Sequence, residues 1–265
     1  MNNLIQGTSG DLVKELQALL NSQGADILPD GQFGLLTQQA VKIYQAKNGL
    51  SADGIVGPAT WDKLRTSPVR VTPVLLTEQD MQDAAAKIGI ETAALKAVRE
   101  VETGGRSGFL SNGNPVILFE GHIFWQQLRQ RGINPETLAA GNADILYPKW
   151  TTAFYKRGIA EYDRLNRAIG INHDAAVSSA SWGLFQIMGF NYKACGYDTV
   201  TAYIEDQYKG EKQQLYSFAN FLRGTPALAA LKNKDWAKFA KSYNGPAYAQ
   251  NKYDIKLAAA YKKFS

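Results

Sequence analysis

The sequence predicts a mainly α protein: a three-helix module joined by a linker to an α-rich domain with a small β-sheet. Three observations carry this. Apolar residues recur at helical spacing through most of the chain. Residues 30–37, "DGQFGLLT", and 53–60, "DGIVGPAT", repeat the pattern Asp-Gly-x-apolar-Gly-x-x-Thr at a separation of 23 residues. Between 66 and 76, "TSPVRVTPVLL" carries Pro68 and Pro73, which interrupt any regular element. The boundaries follow: a module over 1–65, a linker over 66–76 and a larger domain over 77–265.

The first helix, within "DLVKELQALLNSQG", puts Leu12, Leu16, Leu19 and Leu20 on one face and meets Gly24 near its end. Each copy of the repeat makes an Asp-Gly turn, and its second glycine lets the chain enter a helix. "TQQAVKIYQAKNGL" follows the first copy and "TWDKL" the second, with Pro58 suited to the first helical position. Beyond the linker, Thr77 caps "EQDMQDAAAKIG". A helix from an N-cap at Thr92 to a stop at Gly104 comes next. "NPVILFEGH" is β-prone and predicts a small strand, and "IFWQQLRQRG" resumes helix as far as Gly132. Asn134-Pro135-Glu136 reads as a capped helix start. Further helices are expected within 151–168, 199–223, 226–242 and 248–263.

Composition narrows the function classes. A hydrophobic fraction of 45% with 11% aromatics is ample for a packed core. No apolar run approaches the ~20 residues of a membrane helix, so stable membrane insertion is not expected. "MNNLIQGTSGDLVKEL" lacks the pattern of a signal peptide. The single cysteine, Cys195, allows no internal disulfide and reads as a small buried hydrophobe. Residues 1–70 carry six Lys/Arg and six Asp/Glu, so the net charge of +5 lies wholly in the remainder, with 23 basic and 18 acidic residues. A mildly basic domain favours a polyanionic partner, and nucleic acid and a bacterial envelope both qualify. The lack of a dense Lys/Arg stripe or zinc knuckle argues against nucleic acid.

Two stretches carry candidate chemistry. "LKAVREVETGGRSGF", 95–109, ends a helical run with two glutamates. On a helical wheel Glu102 falls about 40° from Val98 and Glu100 about 160° away. Glu100 should be solvated and Glu102 should sit at the edge of the apolar stripe. A partly buried carboxylic acid holds its proton towards neutrality, as a general acid must. The alternative is a glutamate that caps or pairs locally. In "SWGLFQIMGFNY", 181–192, Gln186 stands alone in an apolar run. It is either a satisfied core glutamine or an amide lining a cleft, with Trp182 and Tyr192 beside it.

These residues resemble known families. Gly7, Val13, Leu16-Gln17, Asp30-Gly31, Phe33-Gly34, Thr37, Tyr44-Gln45, Asp53-Gly54, Gly57-Pro58 and Thr60-Trp61 together resemble the peptidoglycan-binding module of bacterial cell-wall hydrolases, over residues 5–65. That implies a wall-binding role for the module and assigns no sugar-contacting residue. Glu102 with its glycine-rich sequel, "GLFQIMG" and "SYNGP" resemble the goose-type lysozyme and lytic transglycosylase superfamily. More closely, "AVREVET", "NPVILFEGHIFW" and "WGLFQIMGFNYKACGY" look like the N-acetylmuramidase domain of phage endolysins, over most of 75–265.

The resemblance implies a lysozyme-like domain that hydrolyses the β-1,4 bond between N-acetylmuramic acid and N-acetylglucosamine. Glu102 matches the catalytic glutamate and Gln186 the cleft glutamine. Tyr243 and Asn244 match a substrate-facing segment, and Tyr192 is a further cleft candidate. Glu120, 18 residues after Glu102 and on the same strand face as His122 by the period of two, is a possible second carboxylate. It would position a water, tune Glu102, or support the fold. The expected partner is the glycan strand of peptidoglycan, met by a monomer made in a host cytoplasm and released to the wall once the membrane is permeabilised. No cofactor or metal is expected.

Rival readings remain. A lytic transglycosylase on the same scaffold would leave 1,6-anhydromuramoyl ends, and a non-catalytic wall-binding or virion structural protein would need no Glu102. A zinc amidase needs more ligands than His122 and His173 supply, and "YKACGYD" offers Cys195 no obvious base. In "NKYDIKLAAAYKKFS" at 251–265 the lysines accompany Ile255, Leu257 and Tyr261. Two readings fit it: a terminal helix packed on the domain, or an amphipathic segment that disturbs an anionic membrane.

Overall fold

The computed structural model describes residues 3–25, 27–66, 75–111 and 113–265, so positions 67–74 of the expected linker lie outside the described residues. In chain order the helices and strands are α1 (Asp11–Ser22), α2 (Leu35–Lys47), α3 (Pro58–Thr66), α4 (Glu78–Ile88), α5 (Thr92–Thr103), β1 (Ile117–Phe119), α6 (Gly121–Gln130), α7 (Ala160–Ile171), α8 (His173–Ser178), β2 (Ala180–Trp182), β3 (Ile187–Met188), α9 (Val200–Lys209), α10 (Glu211–Arg223), α11 (Pro226–Lys232), α12 (Trp236–Asn244) and α13 (Tyr253–Phe264). The protein is mainly α with one small three-stranded sheet, ordered β1-β2-β3. Two compact units form: one gathers α1–α3, β1, α6–α8 and β2, the other α4, α5 and α9–α13.

The repeat in the first 65 residues is a repeat of hydrogen bonding. Gln17, buried in α1, donates through Nε2 to Asp30 Oδ1 (2.8 Å), Gln32 O (3.0 Å) and Thr37 Oγ1 (3.0 Å), and its Oε1 accepts from Gly31 N (2.8 Å). Gln45 in α2 does the same for the second copy, reaching Asp53 Oδ1 (3.1 Å), Ile55 O (2.8 Å) and Thr60 Oγ1 (3.1 Å) and accepting from Gly54 N (2.9 Å). The Asp-Gly turn needs its glycine because Gly31 and Gly54 have φ of 78° and 76°. One glutamine thus satisfies the Asp, the Gly and the Thr of each motif. Leu16, Leu20, Phe33, Tyr44, Val56 and Trp61 fill the core around these loops. Leu12, expected on the buried face, is 52% exposed, because the face is set by Val13, Leu16, Gln17 and Leu20.

In the same unit β1 pairs antiparallel with β2, Phe119 opposite Ala180. The strand is shorter than "NPVILFEGH" suggested. It ends at Phe119, Glu120 is the N-cap position of α6, and His122 lies in the first helical turn rather than on a strand face. A fully buried ion pair explains the stop. Arg164 Nη1 contacts Glu161 Oε2 (2.7 Å) and donates to Phe119 O (2.9 Å), while Phe119 N donates to Glu161 Oε2 (3.3 Å). The end of the strand is therefore bonded to side chains. Asn134-Pro135-Glu136 opens only a 3₁₀ turn, Pro135–Leu138, and the helix expected within 151–168 is α7, which begins at Ala160 and runs on to Ile171.

In the other unit Thr77 caps α4 as expected, in a reciprocal box: Asp80 N donates to Thr77 Oγ1 (3.2 Å) and Thr77 N to Asp80 Oδ2 (3.0 Å). α5 starts at Thr92 with Glu91 as its N-cap and ends at Gly104 in left-handed conformation. The helices expected within 199–223 and 226–242 form as two in each stretch, divided at Gly210 and at 233–235. Glu211, at the break, is buried and accepts from Leu76 N (3.0 Å), Ser107 Oγ (2.8 Å) and Gly108 N (2.8 Å). α13 packs on α5 with Leu257 and Ala260 buried. The terminal segment is a docked helix.

Candidate active site

α5 presents Glu102 in its last turn, half-buried, one residue before the buried Thr103 and two before the left-handed Gly104. Thr103 Oγ1 donates to Arg99 O (2.7 Å) and accepts from Gly105 N (3.0 Å), which fixes the helix end. Glu100 is also only partly exposed, and it pairs with Lys263 of α13 at 2.8 Å. Glu100, expected to be solvated, is thus intermediate in exposure like Glu102 and is held in an ion pair with α13.

Two phenols share the surroundings of Glu102. Burial first, and then the Glu102 charge, raise the pKa of both Tyr243 and Tyr253, so each keeps its proton and its capacity to donate. Tyr243 is carried by an aromatic stack. Its ring lies 5.6 Å from Phe239 and 5.5 Å from Phe218, and Phe218 stacks on Phe185 at 4.0 Å. Tyr253 opens α13 directly after Lys252, whose φ of 51° turns the chain into that helix. Nothing in the sequence marked Tyr253, because its relation to Glu102 spans some 150 residues of chain.

Gln186 is neither core nor strand. It is exposed at the turn before β3 with φ of 51°, a left-handed conformation uncommon for a residue with a side chain, and its Nε2 donates to Gly183 O (2.8 Å). Strain of this kind concentrates at functional sites. The turn is held from below. Gln214 Oε1 accepts from Leu184 N (2.8 Å), and a Cβ on Gly183 would come within 2.6 Å of the Gln214 amide carbon. Tyr243 donates to Phe185 O (3.4 Å), joining α12 to the residue before Gln186. Trp182, expected in the cleft, is core instead: it is 1% exposed and donates through Nε1 to Val177 O (3.0 Å). Tyr192 is half-buried with the Lys193 ammonium 6.0 Å from its ring centre. Asn244 ends α12, and its side chain lies outside the described residues.

Glu120 belongs to the other unit and has its own partners. Both carboxylate oxygens lie 2.7 Å from the Tyr155 hydroxyl. His122 Nδ1 is 3.3 Å from Glu120 Oε2 but outside hydrogen-bonding geometry, and it has no hydrogen-bond partner among the described residues. Burial, with the hydrogen bond and charge of Glu120, pushes the Tyr155 pKa up, so the phenol stays the donor. Tyr155 was hidden in a stretch read as helix. Cys195 is fully buried and burial pushes its pKa up to about 12, the reverse of what a nucleophilic thiolate needs.

The α-rich fold with its small sheet, and a half-buried glutamate closing a helix, are of the lysozyme type. The N-acetylmuramidase family matches residues 91–265, and the chain belongs to it. A putative peptidoglycan binding domain matches residues 9–64. The crystal structure of the Burkholderia AP3 phage endolysin is similar over 99% of both chains, with 42% identity and a TM-score of 0.68. Shorter matches join the chain to the zinc D-Ala-D-Ala carboxypeptidase of Streptomyces albus G, 36% identical over 104 residues, and to the N-acetylmuramoyl-L-alanine amidase CwlM of Mycobacterium tuberculosis, 32% over 121. The chain spans 41% and 29% of those two relatives, and 36% and 44% of its own length takes part.

Proposed function

We propose that the protein is an endolysin that hydrolyses the β-1,4 bond between N-acetylmuramic acid and N-acetylglucosamine. Glu102 is the general acid, protonating the glycosidic oxygen as an oxocarbenium-like centre develops. The observation that carries this reading is the half-buried Glu102 in the last turn of α5, where the chain stops on the left-handed Gly104. Gln186 and Tyr243, joined through Phe185, line the substrate, with Tyr192 and Asn244 as further contacts. Glu120, fixed by Tyr155, is the second carboxylate and orders a water or a substrate hydroxyl. Residues 1–65 anchor the enzyme to the wall, 66–76 tether it and 77–265 cut. The chain works as a monomer, made in the host cytoplasm and reaching the wall after the membrane is permeabilised.

Two measurements test this. Glu102→Gln should abolish lysis of outer-membrane-stripped Gram-negative cells while circular dichroism stays unchanged, and substantial lysis by that variant refutes the assignment. Mass spectrometry of digested peptidoglycan should show reducing muramic acid ends. Predominantly 1,6-anhydro ends would make the enzyme a transglycosylase instead.

A further inference from the structure

The buried face of α10 changes character along its length. Leu215, Phe218, Ala219 and Leu222 are buried and apolar, whereas the first turn buries Glu211 and Gln214, 1% and 2% exposed. Three residues apart, these two side chains leave the same side of the helix. Polar groups are buried with partners, and the partners here lie in two loops. Glu211 Oε1 accepts from Ser107 Oγ and Gly108 N, both at 2.8 Å. Gln214 Oε1 accepts from Leu184 N, also at 2.8 Å.

The two loops meet around Gln214. A Cβ on Gly108 would stand 2.0 Å from Gln214 Oε1 and 2.8 Å from Leu184 N, so only a glycine allows that approach. Ser107 follows Glu102 by five residues. The chain between them is tied by Gly105 N to Thr103 Oγ1 (3.0 Å) and by Arg106 Nε to Thr103 O (3.1 Å). Leu184 precedes Gln186 by two residues, in the turn that Gln186 Nε2 closes on Gly183 O (2.8 Å). The first turn of α10 therefore holds both the segment that leaves the Glu102 helix and the turn that carries Gln186.

Gln214 is itself braced. Its Nε2 donates to Gln207 O (2.9 Å) in α9, and Gln207 Nε2 donates to Ser217 Oγ (3.1 Å). Ser217 Oγ lies 3.0 Å from the Tyr197 hydroxyl, which donates to Asp206 Oδ2 (2.8 Å). A flipped amide would set its oxygen against Gln207 O and its NH₂ against Leu184 N–H, so Oε1 stays on Leu184. A left-handed residue with a side chain persists only where its surroundings over-determine it, and Gln186 has φ of 51°.

We propose that Gln214 is a positioning residue of the active site: from the first turn of α10 it fixes the turn 183–186, and with it Gln186, against the segment that follows Glu102. This rests on the reading of Glu102 as general acid and Gln186 as a substrate-lining amide, and it adds the group that sets one relative to the other.

The test is a double-mutant cycle on the full chain, with a peptide-free tetrasaccharide of alternating N-acetylglucosamine and N-acetylmuramic acid as substrate. Gln214→Met keeps the bulk and removes the acceptor, and it should lower kcat/KM about ten- to hundredfold. Gln186→Ala should lower it by a similar factor. Because Gln214 acts through Gln186, the double variant should fall within about twofold of Gln186→Ala alone. A merely structural glutamine would multiply the two losses, and that product overturns the positioning role, as does Gln214→Met at the wild-type rate. Gln186→Ala at the wild-type rate is a different result: it refutes the reading of Gln186 itself, and the positioning falls with it. Circular dichroism and melting curves check that each variant is folded at the assay temperature. Should Gln214→Met not fold, Gln214→Asn, one methylene shorter and still an amide, takes its place in the cycle.

Discussion

Gln17 and Gln45 show how much one side chain can decide. Each satisfies the turn glycine N–H, the aspartate and the threonine of its loop from a buried position. Replacement by leucine keeps the volume and orphans those partners, so Gln17→Leu and Gln45→Leu should each cost about 1–3 kcal/mol, read as a lower urea midpoint with an unchanged slope. Cys195 offers a pH test. Its thiol has a pKa raised by burial from 9.0 to about 12, so only the unfolded chain ionises it between those values. The stability it contributes is complete below pH 9 and declines as pH rises towards 12. At pH 8 a thiol reagent should label the denatured protein and spare the native one. At this scale the sequence was legible where a residue's role is local. The partial burial of Glu102 followed from its helical phase, that of Glu100 did not, and the two glutamines stood in the motif. Tyr253 and Tyr155 were not legible, since each lies far along the chain from the carboxylate it is related to, and of the two readings of Gln186 the core one falls, because its turn leaves the side chain exposed.

Helices were legible as elements and the side chains that fix their ends were not. The break at Gly210 and the end of β1 are both set by buried glutamates, Glu211 and Glu161, whose carboxylates take backbone N–H groups from other parts of the chain. Periodicity carries no record of such partners. The terminal helix α13 was readable as amphipathic, and the choice between packing and membrane contact fell to tertiary structure. Leu257 is fully buried against the unit that contains α5, while Ile255 is 62% exposed. Leu257→Ala should cost about 2–5 kcal/mol and reduce lysis in proportion to the unfolded fraction, whereas Lys256→Gln with Lys262→Gln should leave both unchanged. Guanidinium titrations and lysis rates on stripped cells check the pair.

For the whole molecule, the division of labour is the prediction. A fragment of residues 1–65 should fold and sediment with purified sacculi without cutting them. A fragment of 77–265 should cut, more slowly than the full chain at low enzyme concentration, because attachment raises the local concentration of enzyme on its substrate. Binding by the short fragment at background level, with a native circular dichroism spectrum, would refute the anchoring role. Pro68 and Pro73 lie outside the described residues, and the repeat that marks the first module was readable in the sequence. How the parts are compacted was not, because the segment 109–182 gathers with the first module rather than with α5.

Glu211 gives this tethering a mechanical side. The wall is an elastic net, and an enzyme fastened to it by its first module is hauled on whenever the net stretches. Leu76 N–H is held by Glu211, and the same carboxylate accepts from Ser107 and Gly108 just beyond the helix that carries Glu102. If the first module anchors the enzyme as proposed, a pull that reaches Leu76 would be delivered close to the proposed catalytic glutamate. The cutting rate should differ between taut and slack sacculi, and Glu211→Gln, with a weaker grip at that junction, should blunt the difference.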